Sequence, residues 1–354
     1  MHLFETQIAP LFARHCIECH DPATRKGKLD LSRKATAFAG GENIVTGKSA
    51  ASTMWEVVSK NEMPKKRPPL SAEEKSALKK WIDGGAQWAG HWAFESPHKP
   101  AIPKPVVGWQ VESPVDLFIQ SKLQSAKLQP ATRANKEAQI RRVTLDLTGL
   151  PSTIKEVDDY LKDTSAMAYE RVVDRLLKSQ RYGEHMGRQW LDAARFADTH
   201  GLHLDNERSV WPYRDWVVGA FNQNLPFDDF TRWQLAGDLL PEPTMDQRIA
   251  SGFNRCNVST GEGGSIAAEW IYRNAVDRTS TAVEVWMGLT AGCAVCHDHK
   301  FDPLSTKEYY SLYSFFHSAA DPALDGNKIN TPPVLKVPRP GDKERLAELE
   351  EKIK

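Results

Sequence analysis

The sequence is poor in cysteine, has no net charge and contains no long apolar run. Five of the 354 residues are cysteines, which is too few for a disulfide-stapled secreted scaffold of this length. The 46 lysines and arginines are balanced by 46 aspartates and glutamates, so the formal net charge is zero. This balance gives no indication of a nucleic-acid or anionic-membrane partner. No apolar run approaches the length of a membrane span.

Four of the five cysteines belong to two copies of one pattern, Cys-x-x-Cys-His, at residues 16–20 and 293–297. This pattern is the attachment signature of a c-type haem. Each thiol adds across one vinyl group of the porphyrin, and the histidine that follows is placed to bind the iron. The sequence therefore predicts two covalently bound haems c. The residues predicted to hold them are Cys16, Cys19, His20, Cys293, Cys296 and His297.

A Cys-x-x-Cys pair can also be half of a zinc site, a redox dithiol or a structural disulfide. Zinc needs further ligands of the right type nearby. Near the first motif only His15 and His20 are available, and its domain has no second cysteine pair. At the second motif, His297 and His299 could complete a Cys2His2 set. Structural zinc therefore stays open there as an alternative.

The first predicted domain covers residues 1–90 and is helical. An apolar stripe at helical spacing leads into the first motif, and a later helix follows a capping box of Ser71 and Glu74. Between them, Met63 lies beside a proline in a polar loop, where a small cytochrome c carries its distal thioether ligand. We predict Met63 as the sixth ligand of the first haem. Met54 is the fallback, although its helical flanks are more typical of a core residue.

The rest of the chain divides by composition into a linker, a large domain and a tail. Five prolines in residues 91–114 predict a stiff, extended linker. Over residues 115–318, apolar side chains recur at helical spacing and alternating strand patterns are absent. Residues 319–354 form a Pro-rich tail and the start of a charged helix. The predicted fold is all-α, with a small cytochrome c-like domain joined to a larger helical domain.

Several stretches of the first domain together match a known pattern. They are Phe4…Ile8-Ala9-Pro10-Leu11, Cys16-x-x-Cys19-His20, Met63-Pro64 and Leu78…Trp81-Ile82…Gly85-Ala86-Gln87-Trp88. This part of the chain resembles the planctomycete-type cytochrome c domain, a small haem-binding module at the start of large exported proteins. That family commonly reads Met-Pro-Pro at the ligand loop, whereas Lys65 follows Pro64 here.

A second set of stretches spans the larger domain. It includes Arg141-Arg142-x-x-Leu145-Asp146-Leu147-x-Gly149-Leu150-Pro151, Trp190-Leu191-Asp192, Trp211-x-Tyr213-Arg214-Asp215-Trp216 and Gly292-Cys293-Ala294-Val295-Cys296-His297-Asp298-His299-Lys300-Phe301. These resemble the second planctomycete-type cytochrome family, long catalogued as a domain of unknown function. In that family a further large domain usually follows. The sequence also starts without a signal peptide, so we expect a chain truncated at both ends.

Polar residues are dense between two predicted helices, at residues 195–215. Their simplest interpretation is as pairs of arginine and aspartate that tie helices together. His200 or His203 could instead be the distal ligand of the second haem, or line a substrate pocket. Both histidines are therefore candidate metal ligands. The fifth cysteine, Cys256, is predicted to be a buried and inert side chain.

Two haem modules in one chain predict electron transfer between the modules and to outside partners. Because haem c is attached outside the cytoplasmic membrane in bacteria, we expect a periplasmic or exported protein, with no particular redox partner indicated. One alternative is a periplasmic oxidoreductase whose second haem is catalytic. The family's association with polysaccharide-degrading bacteria implies a carbohydrate-linked substrate for it. Another alternative is a protein with one haem and a structural zinc at the second motif.

Overall fold

The computed structural model describes residues 3–22, 24–88, 96–338 and 341–353. Within these ranges the chain folds into α-helices joined by turns and loops, without a β-strand. The predicted all-α fold is therefore confirmed. No helix in the described part of the chain is long and apolar enough to cross a bilayer.

Four α-helices precede the predicted linker, and eleven follow from its end onwards within the described ranges. The first four are α1 (Ala9–His15), α2 (Lys34–Ala37), α3 (Thr53–Ser59) and α4 (Ala72–Asp83). The next five are α5 (Pro114–Ser125), α6 (Lys136–Thr148), α7 (Ile154–Lys162), α8 (Ala168–Leu177) and α9 (Gln180–Ala193). The last six are α10 (Trp211–Asn222), α11 (Phe227–Ala236), α12 (Met245–Ala250), α13 (Ala267–Met287), α14 (Thr306–His317) and α15 (Asp342–Ile353).

Backbone contacts divide the chain into two compact units. The first unit comprises Met1–His98 and Trp286–Leu312, and the second comprises Lys99–Val285 and Tyr313–Lys354. Both Cys-x-x-Cys-His segments therefore belong to the first unit. The domain boundaries expected from the sequence stay predictions. Residues 89–95, at the end of the predicted first domain and the start of the predicted linker, lie outside the described residues.

The first unit is built on an apolar cluster beside the first motif. Its buried members include Phe4, Ile8, Leu11, Phe12, Leu78, Trp81 and Ile82. The predicted capping box fixes where α4 begins and is confirmed. Ser71 Oγ accepts a hydrogen bond from the N–H of Glu74 at 3.2 Å, and Glu74 Oε2 accepts one from the N–H of Ser71 at 2.9 Å. Trp81 meets Phe12 edge-on, with ring centroids 5.7 Å apart, and this contact holds α4 against α1.

The second unit contains a close packing of α9 against α10. An added Cβ at Gly183 would lie 2.3 Å from the carbonyl oxygen of Val218, so only glycine permits this approach. The buried side chain of Gln234 on α11 accepts hydrogen bonds from Trp190 Nε1 and from the hydroxyl of Tyr213, both at 2.7 Å. These bonds join α9, α10 and α11 into one core.

Helix α13 carries a buried cation, Arg278, into the core of the second unit. The Arg278 side chain is 4 % exposed, and its two terminal nitrogens donate to the two carboxylate oxygens of Asp321 at 3.0 and 2.6 Å. Its Nε and Nη2 also donate to Asn257 Oδ1. Burial alone would raise the pKa of Asp321, but the hydrogen bonds and charge of Arg278 hold that pKa below its ordinary value of 3.8.

We expect Asp321→Asn to lower the free energy of unfolding by about 3 kcal/mol at neutral pH, because Arg278 then stays buried without its counter-ion. A carboxylate whose pKa is lowered by folding stabilises the protein above its unfolded-state pKa. That contribution is lost as the pH falls through the lower folded-state pKa. The difference in the free energy of unfolding between the unmutated chain and Asp321→Asn should therefore shrink below about pH 4. Urea unfolding across this pH range, followed by circular dichroism, measures it.

The matched control for that prediction is Asp159→Asn, which breaks the exposed pair between Lys155 and Asp159. Solvent screens this pair, so the unfolding midpoint should change little. An equal loss in both variants would contradict the expected difference between a buried and an exposed ion pair.

Candidate haem sites

The first motif begins where α1 ends. The N–H of Cys16 donates to the carbonyl oxygen of Phe12 at 2.9 Å, which continues the helical pattern. After Cys16 the chain forms a turn, in which the N–H groups of Cys19 and His20 both donate to the carbonyl oxygen of Cys16, at 3.2 and 3.1 Å. The helix end and this turn place both thiols and the histidine on one short stretch of chain, as attachment of a single haem requires.

The side chains of the first motif are partly buried in the first unit. Cys16 packs on the apolar cluster, and burial raises the pKa of its thiol to about 12, although the charge of Arg67 opposes the rise. His20 Nδ1 is buried and has no hydrogen-bond partner among the described residues. A buried polar atom of this kind is costly unless another group satisfies it. Two thiols and a histidine ring whose Nδ1 is not held by a hydrogen bond fit a covalently attached haem, with Nε2 as the atom that would bind the iron.

The loop after α3 brings Met63 to the same apolar cluster. Its side chain is half-buried there, and its N–H donates to the carbonyl oxygen of Val57 at 3.2 Å, which ties the loop to α3. Met54 lies within α3 and is 7 % exposed, so it is a core residue. The ligand role of Met63 stays a prediction, and its place in a loop that packs on the same apolar cluster as Cys16 supports it.

The second motif starts in a single 3₁₀ turn, Ala291–Val295, which is part of the first unit. Cys293, Cys296 and His297 are all exposed. His297 Nδ1 lies 2.8 Å from the carbonyl oxygen of Asp298. A carbonyl can only accept, so this contact places the hydrogen on Nδ1 and leaves the lone pair of Nε2 for a metal. Histidines that bind metals are commonly held in this way.

His299 has a different environment. It is 9 % exposed, and its Nδ1 accepts hydrogen bonds from the N–H groups of Phe301 and Asp302 at 3.2 and 2.7 Å. Its Nε2 lies 3.5 Å from Asp302 Oδ2. Across residues 3–22, 24–88, 96–338 and 341–353, no three His, Cys, Asp or Glu side chains form a group that could hold a metal ion. The geometry therefore does not support the Cys2His2 zinc set considered above.

The exposure of the thiols predicts their order of reactivity in the haem-free chain. Cys256 is 1 % exposed, and burial raises the pKa of its thiol from the ordinary 9.0 to about 12. About a thousandfold less thiolate is then present than at an unperturbed cysteine. We expect iodoacetamide to label Cys293 and Cys296 first and Cys256 last, as measured by peptide mass spectrometry. In urea all the thiols should react alike, and rapid labelling of Cys256 in the folded chain would contradict the prediction.

The two candidate distal histidines lie in the second unit, ahead of α10. His200 is 5 % exposed, with Nδ1 at 2.8 Å from Ser259 Oγ and Nε2 at 2.9 Å from the carbonyl oxygen of Lys328. Ser259 Oγ also donates to Asp325 Oδ2 at 2.9 Å. His203 is exposed, and no hydrogen bond of its ring is found in the described part of the chain. Both stay predicted ligands, but iron binding by His200 would require breaking an existing bond.

The neighbouring arginines have structural roles. Arg195 pairs with Asp277 on α13, as expected for an arginine that ties elements together. Arg208 is 6 % exposed and instead donates to the carbonyl oxygens of Cys256 and Asn257, at 3.2 and 2.8 Å. One buried guanidinium thereby fixes the loop that holds Cys256. No sequence pattern predicts this role, because carbonyl acceptors exist at every residue and leave no side-chain signature.

Two family models match the chain. The model for Planctomycete cytochrome C matches residues 16–67, which include the first motif and Met63. The model for PSCyt2, described as a protein of unknown function (DUF1549), matches residues 114–321, more than half of the chain. The chain belongs to the DUF1549 family. Both resemblances expected from the sequence, and their order, are confirmed.

The first match identifies a c-type cytochrome domain at the start of this DUF1549 protein, and such a domain implies covalently bound haem c. The DUF1549 match includes the second motif and both candidate distal histidines. Neither a curated protein nor a solved structure matches the chain.

Proposed function

We propose that the chain is a dihaem c-type electron-transfer module that works outside the cytoplasmic membrane. The observation that carries the proposal is that both Cys-x-x-Cys-His segments belong to one compact unit. Haem supplies one-electron reduction and oxidation when bound. Two attachment sites in one unit support transfer between them. The extracytoplasmic attachment of haem c in bacteria supports a periplasmic or exported location.

At the first site, Cys16 and Cys19 would hold the haem through thioether bonds, and His20 would bind the iron. We propose Met63 as the sixth ligand, since it lies half-buried in a loop on the same apolar cluster as Cys16. Histidine and methionine ligation raises the reduction potential. The first site would then accept electrons readily from partners of lower potential.

At the second site, Cys293 and Cys296 would form the thioether bonds, and His297 would bind the iron through Nε2. Its Nδ1 is already directed at the carbonyl oxygen of Asp298, which supports this orientation. His200 and His203 stay the predicted candidates for the sixth position. The ring of His203 is exposed, whereas both nitrogens of His200 lie within hydrogen-bond distance of other groups.

Carbon monoxide binding to the reduced, fully matured chain tests this proposal. A haem with two protein ligands has no open position, so we expect no adduct in the unmutated chain. If His203 is the sixth ligand, the His203→Ala variant should bind about one carbon monoxide per chain. His200→Ala is the matched control. It should lower the free energy of unfolding by about 1–3 kcal/mol, because buried polar partners lose their hydrogen bonds, and should leave carbon monoxide binding unchanged.

A second function is favoured by the exposure of the second-motif side chains, which fits a site open to a substrate. This function is a periplasmic haem oxidoreductase with a catalytic second site. Rapid carbon monoxide binding by the unmutated chain would support it and contradict closed ligation. Binding that appears only in His200→Ala would instead identify His200 as the sixth ligand.

A further inference from the structure

The segment that follows the first motif is held beside His20 by short-range bonds. The N–H of Leu31 donates to the carbonyl oxygen of His20 at 2.8 Å, and Leu31 is 2 % exposed. Asp30 is 3 % exposed and accepts hydrogen bonds from the N–H and hydroxyl of Ser32, at 2.9 and 2.6 Å. These bonds hold residues 30–32 beside the carbonyl of His20, and Arg33 is the next residue along the chain.

Arg33 extends from this segment to the second motif, within the same unit. Its Nη2 is buried, has no hydrogen-bond partner among the described residues, and lies 3.8 Å from Asp298 Oδ2. The other carboxylate oxygen of Asp298 accepts the N–H of Thr306 at 2.8 Å, which orients the carboxylate. Asp298 directly follows His297 and accepts the Nδ1 hydrogen of that histidine on its carbonyl oxygen. Arg33 thus follows two residues after Leu31, which bonds to the carbonyl of His20, and its side chain approaches Asp298, which directly follows His297.

We infer that the positive charge of Arg33 acts on both haem sites and raises the reduction potential of each. This inference rests on the proposed function, because it requires a haem at each motif. Reduction adds one electron to a haem, so a nearby fixed cation favours the reduced state at each site. Partial burial weakens solvent screening of the Arg33 charge, and its Nη2 is not neutralised by a short hydrogen bond. Asp298 carries the opposite charge at the second motif and should act in the opposite direction.

Spectroelectrochemical titration of the fully matured chain tests the inference. With Arg33→Gln, the ratio of reduced to oxidised haem at a fixed potential should fall about threefold to tenfold at both haems. A tenfold change corresponds to about 59 mV for one electron. Arg33→Lys should retain most of the effect. Lys34→Gln is the matched control, since it removes the same charge from the adjacent, exposed residue, and its change should stay below about twofold.

Asp298→Asn removes the negative charge beside the second motif, so it should raise the reduced fraction at the second haem. Simple structural damage would not produce a rise of this kind. Its backbone carbonyl, which accepts from His297, is retained. Intact mass is measured first. One attached haem would overturn the proposed function and this inference with it. If two haems are attached, the inference alone is overturned when Arg33→Gln changes the reduced-to-oxidised ratio at one haem only or at neither. It is also overturned when that change is no larger than the change in Lys34→Gln.

Discussion

The double variant Cys293→Ser/Cys296→Ser is expected to carry one covalent haem where the unmutated chain carries two. A serine hydroxyl forms no thioether with a porphyrin vinyl group, so the second attachment is lost completely. Both cysteines are exposed, so their replacement by serine leaves no cavity in the apolar cluster of the first unit. The measurement is the intact mass after acid–acetone extraction, on protein made in a host that matures haem c.

Two controls define that result. Cys256→Ser should keep both haems, because Cys256 is buried in the second unit and belongs to neither motif. Cys16→Ser/Cys19→Ser should lose the other haem and keep the second. If the unmutated chain gains the mass of one haem and contains zinc, the second motif is a structural zinc site and the dihaem proposal is wrong.

Met63→Ala is expected to abolish the weak sulfur-to-iron band in the far red of the oxidised spectrum and to lower the potential of the first haem. The thioether ligand favours the ferrous state, so its loss should lower that potential by on the order of 100 mV, roughly a fiftyfold change in the reduced-to-oxidised ratio. Met63 is only half-buried in its loop, so folding should be largely retained. Absorption spectra and redox titration of the full chain measure both effects.

Met54→Ala is the matched control for the ligand assignment. Met54 is 7 % exposed in α3, so its truncation should lower the free energy of unfolding by about 2–5 kcal/mol through a cavity, while the sulfur-to-iron band persists. Survival of the band in Met63→Ala, together with its loss in Met54→Ala, would assign the ligand to Met54 instead.

The two proposed haem sites have different surroundings. At the first site, Cys16 packs on an apolar cluster, and Met63 lies on that cluster too. At the second site, both cysteines and His297 are exposed. Solvent exposure favours the more highly charged, oxidised state of a haem, so the second site should have the lower potential of the two. Electrons would then flow from the second site to the first.

Features that depend on residues close together in the chain follow from the sequence alone. Attachment of haem c needs two thiols and a histidine within five residues, so the motif alone carries that chemistry. Helices are formed by bonds between residues four apart, and the capping box of Ser71 and Glu74 spans three residues. For this reason the all-α fold, the start of α4 and the core position of Met54 could be predicted before the structure was described.

Contacts between residues far apart in the chain became visible only in the folded structure. The sequence made His200 a candidate haem ligand. In the fold, its two ring nitrogens lie within hydrogen-bond distance of Ser259 Oγ and the carbonyl oxygen of Lys328, which are 59 and 128 residues away. Arg33 and Asp298 likewise carry no mark of each other along the chain, and they meet because the second motif packs into the unit that holds the first. The physical reason is that side-chain pairing and burial depend on how helices pack, and no local pattern specifies that packing.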